Sequence, residues 1–176
     1  MCSSIGDGAA ALVLTRPGVV RGGQPPVRLL ASGLAAAQAG DAGDVVARAA
    51  RTAYNQAGLG PTDIDVCEVH DAAAPAELLI AEELGFAPAG EAVGMARAGA
   101  FDLGGRSPLN PSGGLVARGH PVGATGVAQI VELTDQLRGR AGARQVQDAR
   151  TALAQNAGGS LGNGPAACVV TILAGP

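Results

Sequence analysis

The run Asn110-Pro111-Ser112-Gly113-Gly114-Leu115-Val116-Ala117-Arg118-Gly119-His120-Pro121-Val122-Gly123-Ala124-Thr125-Gly126 holds one of only two histidines in the chain. Proline fixes the backbone after His120, and the glycines permit turns that a side chain would forbid. The next stretch, from about Gly123 to Leu137, carries Val127, Ile130, Val131 and Leu137 at helical spacing. His120 therefore lies just before a helix start. The positive end of that helix favours a neutral imidazole, able to offer an N–H to a developing oxyanion. The bland alternative is a structural or exposed histidine at a helix start.

Upstream of this run, the second histidine stands in Glu68-Val69-His70-Asp71. It ends the short apolar stretch Val66-Cys67-Glu68-Val69, which reads as a strand after the turn Pro61-Thr62-Asp63-Ile64-Asp65. The C-terminal end of a strand is where open α/β sheets place their ligand crevices. Asp71 could orient the imidazole, cap the next helix, or both. On spacing alone, a hydrogen-bonded loop histidine explains the pattern equally well.

The rest of the chain alternates. Asp7 to Leu14 is a turn and an apolar strand, abrupt enough to look like the end of something longer. Arg16 to Pro26 is rich in Pro and Gly and reads as a linker. Val27 to Ser32 is a strand. Asp44 is placed to cap a helix to about Gln56, with Val45, Val46, Ala49, Ala50 and Ala53 as its apolar stripe and Gly58 as its stop. A second helix runs from about Pro75 to Leu84, and residues 85–108 read as irregular. Asn110 to Gly119 is a strand or loop. Thr151 to Gln155 and Ala167 to Leu173 are two closing strands around the Gly-rich turn Asn156-Ala157-Gly158-Gly159-Ser160-Leu161-Gly162-Asn163-Gly164. Such alternation predicts helices packed on a mixed, partly parallel sheet.

Composition narrows the function classes. With 176 residues, one domain with a normal core is the soft expectation. Aromatic residues make up only 2%, so Ala, Val and Leu must fill that core, and a partner is expected to supply part of the burial. All twelve basic residues are arginine, which excludes lysine nucleophiles and Schiff bases. The arginines are scattered, against a nucleic-acid footprint. Cys2, Cys67 and Cys168 lack metal-ligand or disulfide spacing, and the latter two read as buried thiols. No signal peptide or long apolar run stands in the chain, so a soluble cytoplasmic protein away from membranes is expected. The Gly158-Gly159 turn lacks the lysine of a phosphate loop and precedes a strand, so nucleotide binding is disfavoured.

Taken in order, these pieces resemble the C-terminal half of a thiolase. Gly119-His120-Pro121-Val122-Gly123-Ala124-Thr125-Gly126 resembles the family's GHPxGxTG block, and Asp7-Gly8-Ala9-Ala10-Ala11 its DGAAA strand. Glu68-Val69-His70-Asp71 stands where typical thiolases carry NEAF. The His-Asp form is similar to the sterol-carrier-protein-2 type and to lipid-transfer thiolase-like proteins. Gly158-Gly159 resembles the final glycine-rich catalytic loop.

The resemblance implies a fold and a division of the chain. The fold is α/β, a mixed five-stranded sheet with helices packed on it, plus one strand left from the N-terminal domain. Residues 1–15 would be that strand, 16–26 a linker and 27–176 the C-terminal domain. It implies that His70 and His120 are catalytic and hold the thioester oxygen, His70 directly or through a water. It implies that Asn156, Gly158 and Gly159 bind substrate. Coenzyme A thioester is the implied substrate, with no metal or other cofactor, and the implied partner is a thiolase N-terminal half or a homologous protomer in an oligomer.

Three departures are visible. The acylated cysteine of the family lies in the N-terminal half, and Cys2 does not match it. The acid/base cysteine is replaced at its two known positions, by Ala72 and by Asn156. The aromatic residue after His-Asp is Ala73. Two readings result. One is a half-enzyme that shapes an oxyanion hole for carbon–carbon bond formation or cleavage, by acyl transfer or retro-aldol chemistry, with a separate N-terminal half. The other is a non-catalytic acyl-CoA-binding or interaction domain.

Overall fold

A computed structural model describes residues 1–19, 26–38, 44–161 and 164–176. The linker read over 16–26 lies largely outside the described residues, as do Gly162 and Asn163. Four strands form one mixed sheet in the order β1-β4-β3-β2. They are β1 (Arg28–Ala36), β2 (Val66–Glu68), β3 (Thr151–Gly158) and β4 (Ala167–Ala174). β4 runs antiparallel to both β1 and β3, while β2 and β3 are parallel.

Period-two alternation divides the core between two faces. Cys67, Leu153, Cys168, Val170 and Ile172 join the larger cluster, with α1 (Val45–Ala57) and α2 (Ala74–Glu83). Val66, Ala152, Ala154 and Leu173 join the other, with Leu133 and Leu137 of α5 (Thr125–Leu137). The apolar stripe read for α1 is buried as expected, and Gly58 ends the helix in the left-handed region at φ 67°. The small side chains let helix and sheet approach closely. A Cβ at Gly33 of β1 would collide with the carbonyl oxygen of Ala49 in α1.

Several expectations are corrected. Asp44 flanks α1 but does not cap it; its carboxylate pairs with Arg48 one turn on, at 3.2 Å. Residues 85–108 contain a short helix, α3 (Ala92–Arg97). The stretch from Asn110 holds another, α4 (Gly114–Arg118). Among the described residues the sheet has four strands rather than five. Where the fifth would lie, beside β2, a single parallel bridge joins Cys67 to Leu109. Pro108 and Pro111 lack the N–H that a ladder needs, and Asn110 turns the chain away at φ 47°.

The strand read over Asp7 to Leu14 is also absent. Its apolar side chains stand in solvent, Val13 at 88% and Leu14 at 75% exposure. A strand is stable only when its backbone groups meet a neighbouring ladder, and among the described residues none lies there. The segment just before it is paired differently. Ser3 N donates to Ala72 O at 2.9 Å, and His120 N donates to Ser4 O at 2.7 Å. Residues 3 and 4 thus tie together the two loops that carry the histidines.

Candidate active site

Both histidines reach the site through loops clamped by buried acids. His70 comes just after β2. Glu68, fully buried in β2, accepts from the backbone N–H and the hydroxyl of Ser112, at 3.0 and 2.7 Å. Arg118 lies 3.6 Å from the same carboxylate. Burial lifts the Glu68 carboxyl to about 7, against the lowering pull of Ser112 and Arg118. Asp71 acts on the same loop. Its oxygens accept from the N–H groups of Leu115 at 2.6 Å and Val116 at 3.3 Å, donors in the first turn of α4 that have no partner within the helix. Asp71 therefore caps α4 across space, rather than the helix next to it in sequence. Gly114 makes room: a Cβ there would overlap the Asp71 carboxylate.

The loop anchored in this way delivers His120. Its ring meets His70 edge to face, with centroids 4.8 Å apart and planes at 87°. The Nδ1 of His120 lies 2.8 Å from the Thr125 hydroxyl, which also reaches Pro121 O at 3.0 Å. On the other side, the backbone N–H of His70 donates to Gln155 Oε1 at 2.9 Å, and the His70 Nδ1 lies 3.1 Å from Asn156 Nδ2. Burial, and secondarily His120, lowers the His70 imidazole to about 4. At neutral pH His70 is uncharged.

A cavity of about 870 Å³ opens on the pair. All five residues singled out from sequence, His70, His120, Asn156, Gly158 and Gly159, line it. Ala72 and Ala73 line it too, so the positions where the family pattern has a cysteine and an aromatic residue contribute space instead. Neither buried thiol lines this cavity. Burial pushes both Cys67 and Cys168 upward, Cys168 to about 11. Among the described residues no cluster of His, Cys, Asp and Glu could hold a metal ion. A pair of half-buried imidazoles on one cavity can hold an oxygen and move a proton at it.

Sequence reading missed the buried amides that support this pair. Gln129 and Gln155 are fully buried. Polar residues at apolar positions of α5 and β3 were the available signal, since a buried amide must find partners.

The comparisons with known proteins agree with this architecture. The family model described as thiolase C-terminal domain-like matches residues 33–172, and the chain belongs to that family. It is 43% identical over 169 residues to the acetyl-CoA acetyltransferase of Methanothermobacter thermautotrophicus, covering 92% of this chain and 44% of that protein. It is 50% identical over 115 residues to sterol carrier protein 2 of Rattus norvegicus, covering 65% of this chain and 21% of that one. The solved Ltp2-ChsH2(DUF35) aldolase superposes with a TM-score of 0.68 at 25% identity, over 85% of this chain and 40% of that one. The chain thus spans less than half the length of each of these relatives. Among the described residues no helix is long and apolar enough to cross a membrane.

Proposed function

We propose that this chain shapes the oxygen-binding side of a thiolase-type active site, acting on a coenzyme A thioester together with an N-terminal half or a homologous protomer. The observation that carries the proposal is the edge-to-face contact of His70 and His120 on the wall of one cavity. The reaction is carbon–carbon bond formation or cleavage beside the thioester carbonyl. His70 donates to the carbonyl oxygen as negative charge develops on it. His120 is the proton carrier. The Thr125 hydroxyl spends its one proton on the carbonyl of Pro121, so its oxygen accepts from Nδ1–H of His120. The neutral ring then offers a lone pair at Nε2. Once protonated, it supplies a second N–H to the same oxygen. Asn156 and the backbone at Gly158 and Gly159 line the path of the acyl group.

The chemistry available depends on the partner. Neither buried thiol forms a thiolate at neutral pH, and Ala72 and Asn156 occupy the family's acid/base positions. Retro-aldol cleavage needs no acyl-enzyme and is therefore favoured over thiolysis. The missing acid/base thiol also supports a second reading, a domain that binds acyl-CoA without turning it over.

Calorimetric titration of acyl-CoA into the chain, alone and with a thiolase N-terminal half, separates the readings. Binding with turnover in the assembled protein is the expected result. Binding without turnover would favour the second reading, and no binding in either case would remove both.

A further inference from the structure

We infer that Gln129 and Asn156 are positioning residues that lock His70 as the Nε2–H tautomer, so that its one proton faces the cavity. The chain of donors starts from an atom that can only accept, the backbone carbonyl of Gln155. Gln129 Nε2 lies 3.1 Å from it and must donate. That fixes the Gln129 amide, leaving Oε1 as an acceptor. Asn156 Nδ2 lies 3.1 Å from that oxygen and must donate in turn. The same nitrogen lies 3.1 Å from Nδ1 of His70. Having only hydrogens to offer, it makes Nδ1 the acceptor. A neutral imidazole carries one proton, which therefore sits on Nε2.

The opposite setting is costly. Turning the Asn156 amide over would set its oxygen against Gln129 Oε1. Turning Gln129 as well would set its oxygen against the Gln155 carbonyl. Gln129 is fully buried, so no water relieves either clash. Burial also lowers the affinity of His70 for a second proton, which keeps the ring in the neutral form where the choice of tautomer matters. Gly126 completes the device. A Cβ there would press on the Asn156 amide at 3.3 Å, so the last glycine of the His120 motif gives Asn156 its seat against α5.

This inference rests on the proposed function only for its consequence, because the tautomer can be read without any activity. The chain has two histidines, so long-range proton–nitrogen NMR of histidine-labelled protein at neutral pH gives two ring patterns. His70→Gln assigns them. The expected pattern for His70 is a pyridine-like Nδ1 and a pyrrole-like Nε2. The reverse pattern, or an averaged one, overturns the inference in the wild-type protein alone.

Asn156→Asp sharpens the test. A carboxylate accepts, so it draws the proton of neutral His70 to Nδ1. An unchanged tautomer in that variant would also overturn the inference. In the assembled enzyme, Asn156→Asp is expected to lower kcat at least about tenfold with a smaller change in KM, as befits a donor that acts in the transition state. Nε2–H on His70 in a protein that never binds acyl-CoA would instead sink the functional reading and leave the tautomer lock standing.

Discussion

The two histidines meet in one cavity, but their seats are built differently. The ring of His120 is held locally, by the hydroxyl of Thr125 five residues on, while its backbone N–H reaches far upstream to Ser4. His70 is held by Gln155 and Asn156, which are 85 and 86 residues away, and through them by Gln129. One seat is a motif and the other is a network. A motif carries its own geometry in a short run of residues. A network exists only once β2, β3 and α5 have packed, so it couples the site to the stability of the fold.

The largest effects test whether the two seats serve one oxygen. In the assembled protein, His70→Ala and His120→Ala are each expected to lower turnover about 100- to 1,000-fold, the usual cost of one oxyanion donor. With both rings acting on the same atom, as proposed, the double variant should lose little more than the worse single one. Multiplicative losses in steady-state kinetics would mean that the rings act separately.

A smaller effect tests the network. Gln155→Leu removes the acceptor for the His70 N–H and strands buried polar groups, at a cost of roughly 1–3 kcal/mol. Thermal unfolding should show a clearly lowered Tm, and an unchanged Tm would show that the network does not support the fold.

The smallest effect is in the pH dependence of stability. The folded His70 titrates near 4 against an ordinary 6.5, so the unfolded chain takes up a proton first as the solution is acidified. Stability from this group is complete above the ordinary value and is lost as pH falls from about 6.5 through 4. Glu68 acts in the opposite sense. Its folded carboxyl titrates near 7 against an ordinary 4.5, so its contribution is complete below the ordinary value and is lost as pH rises through that window. His70→Gln should therefore leave a Tm that falls as pH rises from 4.5 to 7. A Tm in that variant still rising with pH would contradict the assignment.

The difference between the seats also explains what the sequence revealed. The α1 stripe, the closing strands and the His120 motif were legible because period and turn chemistry are local. So was the cavity wall, since His70, Asn156, Gly158 and Gly159 all lie at or near the ends of strands. The role of Asp71 was not legible, because α4 reaches it from more than forty residues away. The fifth strand was expected from the family resemblance, whereas Pro108 and Pro111 around Leu109 leave only a bridge there. The stretch Asp7 to Leu14 has the right succession of turn and apolar run but no ladder beside it among the described residues. Pattern sets the propensity to form a strand; only a neighbour makes one.

The proposed convergence of His70 and His120 on one carbonyl oxygen draws on both the motif and the network. It is best tested by a structure of the chain assembled with a thiolase N-terminal half and a non-hydrolysable acyl-CoA analogue. The carbonyl oxygen is expected within about 3.2 Å of the Nε2–H of His70 and joined through one water to Nε2 of neutral His120. A carbonyl bound elsewhere, with the two imidazoles facing an empty part of the cavity, would contradict it.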